Sequence, residues 1–318
     1  MSIIDILSFE SGLEATTVER IIRNAPLRYK TYQIPKRSGG SRTISQPARE
    51  VKVLQRALSD VLLRVLPVHE AATAYRPEMS IKDNALRHAG DGPILKMDFK
   101  DFFPSIKPRD WTLYCKETGA LTDPVDVRQT ALLLFQRPKG SAVMRLAIGA
   151  PSSPFVSNAL LYEFDKRIAA EVARDHVTYT RYADDLTFSA PRTGYLVNVE
   201  KMVRTTLAGL EYPKLLINGQ KTTRITRKYG RRVTGLTLTN DGRVSIGHER
   251  KRILHAQVHS ATKDLLDNDQ IAELKGMLGF VNSVEPQFLD VLRRRYGHSI
   301  ITFIQRFESN PPTLDLLE

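Results

Sequence analysis

The sequence predicts an α+β fold, on three observations. A β-rich run at residues 94–99 alternates apolar with charged side chains. Two further runs, at 177–182 and 186–189, stand only a few residues apart, as the strands of a hairpin do. Helical periodicity marks residues 51–65 and 156–172, and the pattern stays helical from 246 to the end.

In chain order, residues 1–30 suit short helices, with Val18, Ile21 and Ile22 at helical spacing and Pro26 as a stop. A strand is expected at 30–34. Gly39-Gly40 signals a turn before a second run around Ile44, so a basic hairpin carrying Lys36, Arg37 and Arg42 is expected, suited to a triphosphate or a nucleic-acid backbone. From Glu50, the positions Val51, Leu54, Leu58, Val61, Leu62 and Val65 follow the helical period until Pro67. A further helix is expected at 80–88, followed by the break Gly90-Asp91-Gly92-Pro93.

In the run at 94–99, Leu95, Met97 and Phe99 point one way while Lys96 and Asp98 point the other, so one face is core and the other carries charge. Gly149-Ala150-Pro151 reads as a tight approach whose backbone groups can face a ligand. Ser153 is then a candidate N-cap with Pro154 at the first helical position, and Val156, Leu160, Phe164, Ile168 and Val172 recur along the helix at i+4. Ala183-Asp184-Asp185 joins the strands of the second hairpin. Tight hairpin turns favour Asn-Gly or Asp-Gly because φ must be positive, so an Asp-Asp tip is not one that fold stability selects. A helix near 198–210 and strands at 215–218 and 232–238 precede the helical C-terminal region.

The 318 residues, 42% of them apolar, suffice for one large domain or two modest ones, with no internal repeat and no low-complexity segment. A formal charge of +12 attracts polyanions. Membrane surfaces are polyanionic too. No stretch approaches the roughly 18 to 20 apolar residues of a spanning helix, and Met1-Ser2-Ile3-Ile4-Asp5 lacks a signal-peptide pattern. Nucleic acid in the cytoplasm, and no membrane, is the expectation.

Cys115 is the only cysteine, which excludes an internal disulfide and a Cys-rich zinc site, and the seven histidines show no HExxH spacing. Any metal must therefore be held by carboxylates. Lys and Arg outnumber Asp and Glu by 38 to 25 before residue 246, against 9 to 10 from there on. The densest basic run, with Lys221, Arg224, Arg227, Lys228, Arg231 and Arg232, contains no acid. It is either a solvated face or, beside a catalytic segment, a nucleic-acid contact.

Asp98 at the end of one strand, with Asp184 and Asp185 at a hairpin tip, suits a hard ion such as Mg²⁺, which takes oxygen ligands and is commonly shared between carboxylates and substrate phosphates. Two such ions about 4 Å apart stabilise the attacking and departing oxygens of nucleotidyl transfer. Tyr182-Ala183-Asp184-Asp185 alone is equally a solvated acidic turn. The upstream strand ending in Asp98, the aromatic residues after it and the Gly-Ala-Pro approach between the two tip the balance towards a polymerase.

These residues carry a resemblance to the reverse transcriptases of bacterial retrons. The matching segments are 42–47 (Arg42-Thr43-Ile44-Ser45-Gln46-Pro47), 96–105 (from Lys96-Met97-Asp98-Phe99 to Pro104-Ser105), 149–154, the Tyr182-Ala183-Asp184-Asp185 box, and Asn218 with Lys221-Thr222. Asn84-Ala85-Leu86-Arg87-His88 resembles the NAxxH motif of retron enzymes, and Val233-Thr234-Gly235 their VTG motif. One departure is Ile148, where many reverse transcriptases have Gln before Gly-Ala-Pro; a side-chain hydrogen bond to substrate is then absent there or replaced by packing.

The resemblance implies a right-hand polymerase: N-terminal helices and fingers over 1–92, a palm over 93–245 with an interleaved fingers segment at about 120–150, and a helical thumb over 246–318. It implies that Asp98, Asp184 and Asp185, with the carbonyl of Phe99, bind two Mg²⁺ ions, for which Mn²⁺ can substitute. Phe103 would crowd a ribose 2′-hydroxyl and select deoxynucleotides. Arg42, Lys36 and Lys221 would face the triphosphate, with Gly149 and Ala150 under the nucleotide and template base.

It implies RNA or DNA contacts from Asn84, His88, Val233, Thr234 and Gly235, and from Arg250-Lys251-Arg252 and Arg293-Arg294-Arg295 in the thumb, where each cluster is equally a solvated helix end; Arg224, Arg227 and Lys228 are added as contacts by the charge of the basic run. Partners implied are dNTPs, a cognate structured non-coding RNA (msr-msd) and its branched DNA product, primed from a guanosine 2′-hydroxyl, a separate effector protein in anti-phage defence, and host RNase H. Group II intron, diversity-generating and abortive-infection reverse transcriptases, or a non-catalytic RNA-binding scaffold, are the alternatives.

Overall fold

The computed structural model describes residues 1–35, 39–90, 92–226 and 228–308; Lys36, Arg37 and Arg227, expected as nucleic-acid cations, lie outside them. The described strands are β1 (Tyr29–Pro35), β2 (Ser41–Pro47), β3 (Ile94–Asp98), β4 (Thr178–Tyr182), β5 (Asp185–Ser189), β6 (Thr223–Ile225), β7 (Arg232–Val233), β8 (Leu236–Leu238) and β9 (Val244–Ser245). Two compact units arise, one from residues 1–79 and 92–225, the other from 80–91 and 226–318.

In the first unit, β1 and β2 form the expected antiparallel hairpin, with Ile34 opposite Arg42. The second sheet is antiparallel, in the order β4-β5-β3-β6. Its central strand β3 buries Ile94, Leu95 and Met97, and Phe99 just beyond it, while Asp98 is itself only 7% exposed. The face expected to carry charge holds half-buried Lys96 and buried Asp98. β3 is paired on both edges, by β5 and by β6.

Behind the sheet, the i+4 series Val156, Leu160, Phe164, Ile168 and Val172 is buried as expected, although the chain breaks at Leu161 into helices Ser153–Leu160 and Tyr162–Ala173. Ser153 is not the N-cap. It begins the helix, and its hydroxyl donates to Ala147 O (2.8 Å), tying the helix start to the Gly-Ala-Pro segment.

In the second unit, β7-β8-β9 form a small antiparallel sheet beside the short helix Ile81–Leu86, with the helices His248–Thr262, Asn268–Val284, Pro286–Tyr296 and His298–Arg306. Ser80 caps Ile81–Leu86 reciprocally with Asp83. The Thr234 hydroxyl donates to Ile81 O (3.0 Å), and Arg231 Nη1 donates to Gly90 O (2.6 Å). These bonds join 80–90 to 228–245, and bonds from Arg250 Nη1 to Gly235 O (3.0 Å) and from Ser245 Oγ to Glu285 Oε2 (2.8 Å) join 228–245 to the C-terminal helices, whereas the boundaries expected at 92/93 and 245/246 follow chain order.

Two expected strands differ. Residues 232–238 fold into a hairpin because Thr234 and Gly235 both adopt positive φ (47° and 78°), so the VTG segment is a turn. Residues 215–218 make one bridge, Phe99 to Ile217, flanked by bonds from Lys100 N to Leu216 O and from Asn218 N to Asp98 O (both 2.8 Å).

Candidate active site

Strand register brings the acids together. Asp98 ends β3 directly opposite Asp185, the first residue of β5. The hairpin turn consists of Ala183 and Asp184, between the paired residues Tyr182 and Asp185, so the acidic pair is divided between turn and strand and does not form the tip as expected. Ala183 takes φ 57°, a left-handed conformation that costs a residue with a Cβ about 1–2 kcal/mol. Phe99 N donates to Asp184 O (3.1 Å), fastening the turn to the end of β3.

Burial holds the Asp184 carboxyl above the ordinary range, with the negative charge of Asp98 adding to the effect. Asp185 is pushed up to about 6, by burial first and by Asp184 second. Lys221 Nζ donates to both Asp98 oxygens at 3.0 and 2.9 Å, and that hydrogen bond raises the lysine's own pKa. Three carboxylates crowded in a desolvated place with one lysine among them are short of positive charge, and their oxygen donors fit a hard divalent cation. Among the described residues, no group of three or more His, Cys, Asp or Glu side chains is arranged to hold a metal ion as it stands. Both Asp98 oxygens are engaged by Lys221.

Asp98 and Asp184, but not Asp185, line a cleft of about 1550 Å³, together with Arg42, Phe103, Gly149, Ala150 and Lys221. Arg42 comes close enough to lower the Asp184 pKa. Phe103 is half-buried, its ring centroid 5.1 Å from that of Phe102. Gly149 has φ 119°, and a Cβ there would meet Ile44 Cγ2 at 3.0 Å and Ser45 O at 3.1 Å. Ser45 N donates to Ile148 O (2.8 Å), so the Gly-Ala-Pro segment abuts the strand that carries Arg42. Ile148 also lines the cleft.

Several participants were not singled out from sequence. Tyr75 lines the same cleft with its backbone at φ 61°. Beneath the turn, Arg181 and Asp165 form an ion pair with both side chains wholly buried (2.7 Å). The available signals were a lone arginine within a β-rich run and an aspartate beside Phe164 in the buried series.

The expected nucleic-acid contacts divide. Asn84, His88 and Val233 are at most 1% exposed, so their side chains lie in the interior of the second unit. Thr234 and Gly235 form the hairpin turn, and Arg250 Nη1 donates to Gly235 O (3.0 Å). Exposed Arg224 pairs with Glu200, and exposed Lys228 lies over the Tyr229 ring. Lys251 pairs with Glu285 and Arg293 with Asp290, Arg295 lies over Tyr296, and Arg252 and Arg294 are exposed.

An antiparallel sheet carrying acids at the end of its central strand and on the adjoining hairpin is the palm of a right-hand nucleic-acid polymerase. Residues 34–238 match the family described as "Reverse transcriptase (RNA-dependent DNA polymerase)". The Retron Ec83 reverse transcriptase of Escherichia coli is 37% identical over 285 residues, 88% of this chain and 90% of that protein. The Retron Mx65 reverse transcriptase of Myxococcus xanthus is 35% identical over 84% of this chain, which spans 64% of that longer protein. Among solved structures, telomerase from Candida albicans, in complex with a TWJ fragment of telomeric RNA, matches at a TM-score of 0.49 with 14% identity, over 92% of this chain and 58% of that one. The chain belongs to the reverse transcriptase family, among the enzymes of retrons, and is an RNA-directed DNA polymerase. Membership carries dependence on a divalent metal ion and an RNA template.

Proposed function

We propose that the chain reverse-transcribes part of its cognate structured RNA into a branched RNA–DNA product, extending from a guanosine 2′-hydroxyl, and that Asp98, Asp184 and Asp185 are its catalytic residues. The observation that carries this reading is the pairing of Asp98 with Asp185 across β3 and β5, with Asp184 in the adjoining turn. The three carboxylates and the carbonyl of Phe99 would hold two Mg²⁺ ions, or Mn²⁺ in their place, which supply charge stabilisation for the attacking and leaving oxygens.

The protein's own groups do the rest. Arg42 neutralises the incoming dNTP triphosphate, and Lys221, its ammonium already at Asp98, is placed to donate to phosphate oxygens. The backbone of Gly149 and Ala150 supports the nucleotide, because no side chain fits at Gly149. Phe103 fills the space a ribose 2′-hydroxyl needs, a rejection by clash. Exposed Arg252 and Arg294, with Arg295 over Tyr296, are suited to the phosphate backbone of an RNA helix, which is recognised largely by shape.

A cytoplasmic setting, a separate effector protein held in check by the enzyme and its product, RNA trimming by host RNase H and a role in anti-phage defence complete the proposal. They rest on the likeness to retron enzymes. The test is Asp184→Asn with Asp185→Asn, expected to abolish DNA synthesis while cognate RNA still binds. DNA extension by that variant at the wild-type rate refutes the assignment. Nucleic acid purified with the wild-type protein is expected to contain a 2′,5′ branch; linear DNA alone refutes the self-primed route.

A further inference from the structure

We propose that Arg181 is a positioning residue for the carboxylate turn, a proposal that rests on the catalytic assignment of Asp98, Asp184 and Asp185 above. Its Nη1 donates to the carbonyl of Ala183 (3.2 Å) and to Asn158 Oδ1 (3.0 Å). The rest of the guanidinium is taken by Asp165, from Nε at 2.9 and 3.1 Å and from Nη2 at 2.7 Å. Asp165 also accepts from the Tyr179 hydroxyl (2.7 Å). Arg181 and Asp165 have no exposed surface, and Asn158 is 1% exposed.

A buried ion pair is weak evidence of stabilisation, because desolvating the two charges offsets much of their attraction and an apolar pair of similar volume often serves as well. An apolar pair could not donate to Ala183 O. That carbonyl belongs to the residue held at φ 57°, one position before Asp184. A left-handed alanine persists only where its surroundings over-determine it, and here Arg181 holds one side of the turn while Phe99 N holds the next carbonyl, Asp184 O.

The same assembly reaches the segment 71–74. Arg181 N donates to Ala71 O (2.7 Å), Thr73 N to Arg181 O (2.9 Å), and Asn158 Nδ2 to Ala74 O (2.9 Å). The next residue is Tyr75, itself left-handed and lining the cleft with Asp184. One buried guanidinium therefore sets the turn that bears a catalytic carboxylate and, through Asn158, the segment leading to Tyr75. Only the planar fork of arginine can serve Asp165, Asn158 and Ala183 at once; lysine would keep the charge and lose the fork.

The test compares Arg181→Lys and Asn158→Ala with wild type in the full chain, at a temperature where circular dichroism shows each protein fully folded. Single-nucleotide incorporation on a template-primer is measured, together with Mn²⁺ binding followed by loss of the free-ion electron paramagnetic resonance signal. Arg181→Lys is expected to lower kcat about 100-fold, the cost of misplacing a reacting group by about 1 Å, with nucleotide KM changed less than about three-fold and Mn²⁺ bound more weakly. Asn158→Ala, which leaves the ion pair intact, is expected to act in the same direction by about ten-fold.

A purely structural role predicts folded variants with wild-type kcat and Mn²⁺ affinity, and that result overturns the proposal. If Arg181→Lys does not fold, the kcat and Mn²⁺ affinity of Asn158→Ala decide alone. Asp184→Asn, run in parallel, separates the two levels: full activity there refutes the catalytic assignment, whereas its loss beside unchanged Arg181→Lys and Asn158→Ala refutes only the positioning role.

Discussion

Lys221 Nζ donates to both carboxylate oxygens of Asp98, at 3.0 and 2.9 Å, so the cation expected to face a triphosphate is paired with an acid expected to hold a metal. The lysine side chain is 60% exposed and the aspartate side chain 10%. An ion pair this open to water contributes no more than about 1 kcal/mol. Lys221→Ala is therefore expected to lower the half-saturating Mg²⁺ concentration by up to about five-fold, since the ion no longer competes with the ammonium. The maximal rate is expected to fall about ten-fold, because a charge-assisted contact to phosphate is lost. Metal titrations of DNA synthesis check both; an unchanged metal requirement would mean that Lys221 and the metal do not compete for Asp98.

Gly149 couples the cleft floor to the strand carrying Arg42. At φ 119°, with Ile44 Cγ2 and Ser45 O within 3.1 Å of where a Cβ would lie, Gly149→Ala must both strain the backbone and displace β2. The expected cost is about 1–3 kcal/mol of stability, read from the urea midpoint. A rise in dNTP KM that exceeds the change in kcat is also expected, because the displaced strand bears Arg42, the cation proposed to face the triphosphate.

What could be read from sequence was local. Alternation through 94–99 located Asp98, the spacing of two β-rich runs located the acidic hairpin, and Gly39-Gly40 located the basic one. Register was not legible to the single residue. A shift of one position decides whether Asp185 lies in the turn or in β5, and composition does not discriminate the two. Pairings over long separations were also hidden: Lys221 meets Asp98 across 123 positions, and Thr234 meets Ile81 across 153. The second of these joins the segments carrying NAxxH and VTG, noticed separately, in one packed unit.

His88 gives that unit a pH dependence. Burial pushes its imidazole down to about 3, so the folded state keeps it neutral while the unfolded state takes up a proton near 6.5. Below about pH 6.5 the unfolded state binds more protons, and stability falls as pH falls. From pH 7.5 to 5.5 the loss from this one group is about 1.4 kcal/mol. Asp185 works in the opposite sense, since its carboxyl, held up to about 6, protonates in the folded protein before the unfolded one. The contrast with His88→Gln isolates the histidine: the urea midpoint of wild type is expected to drop more between these pH values than that of the variant, and equal drops would contradict a neutral buried imidazole.

Phe103 tests whether sugar selection is steric. Its ring lines the cleft with Asp98 and Asp184, and it is backed by Phe102, which is 5% exposed and stacks on Phe99 with ring centroids 5.5 Å apart. That backing leaves the ring little freedom to retreat from a 2′-hydroxyl. Phe103→Ala removes the obstruction without touching a carboxylate, so incorporation of dNTPs is expected to continue while the preference for deoxy- over ribonucleotides, as a ratio of kcat/KM values, falls by at least about ten-fold. Phe103→Tyr keeps the bulk and is expected to keep the selectivity. Should the alanine variant discriminate as well as wild type, rejection of ribose must come from another wall of the cleft, and Tyr75, facing the same space from a strained backbone, is the first residue to substitute next.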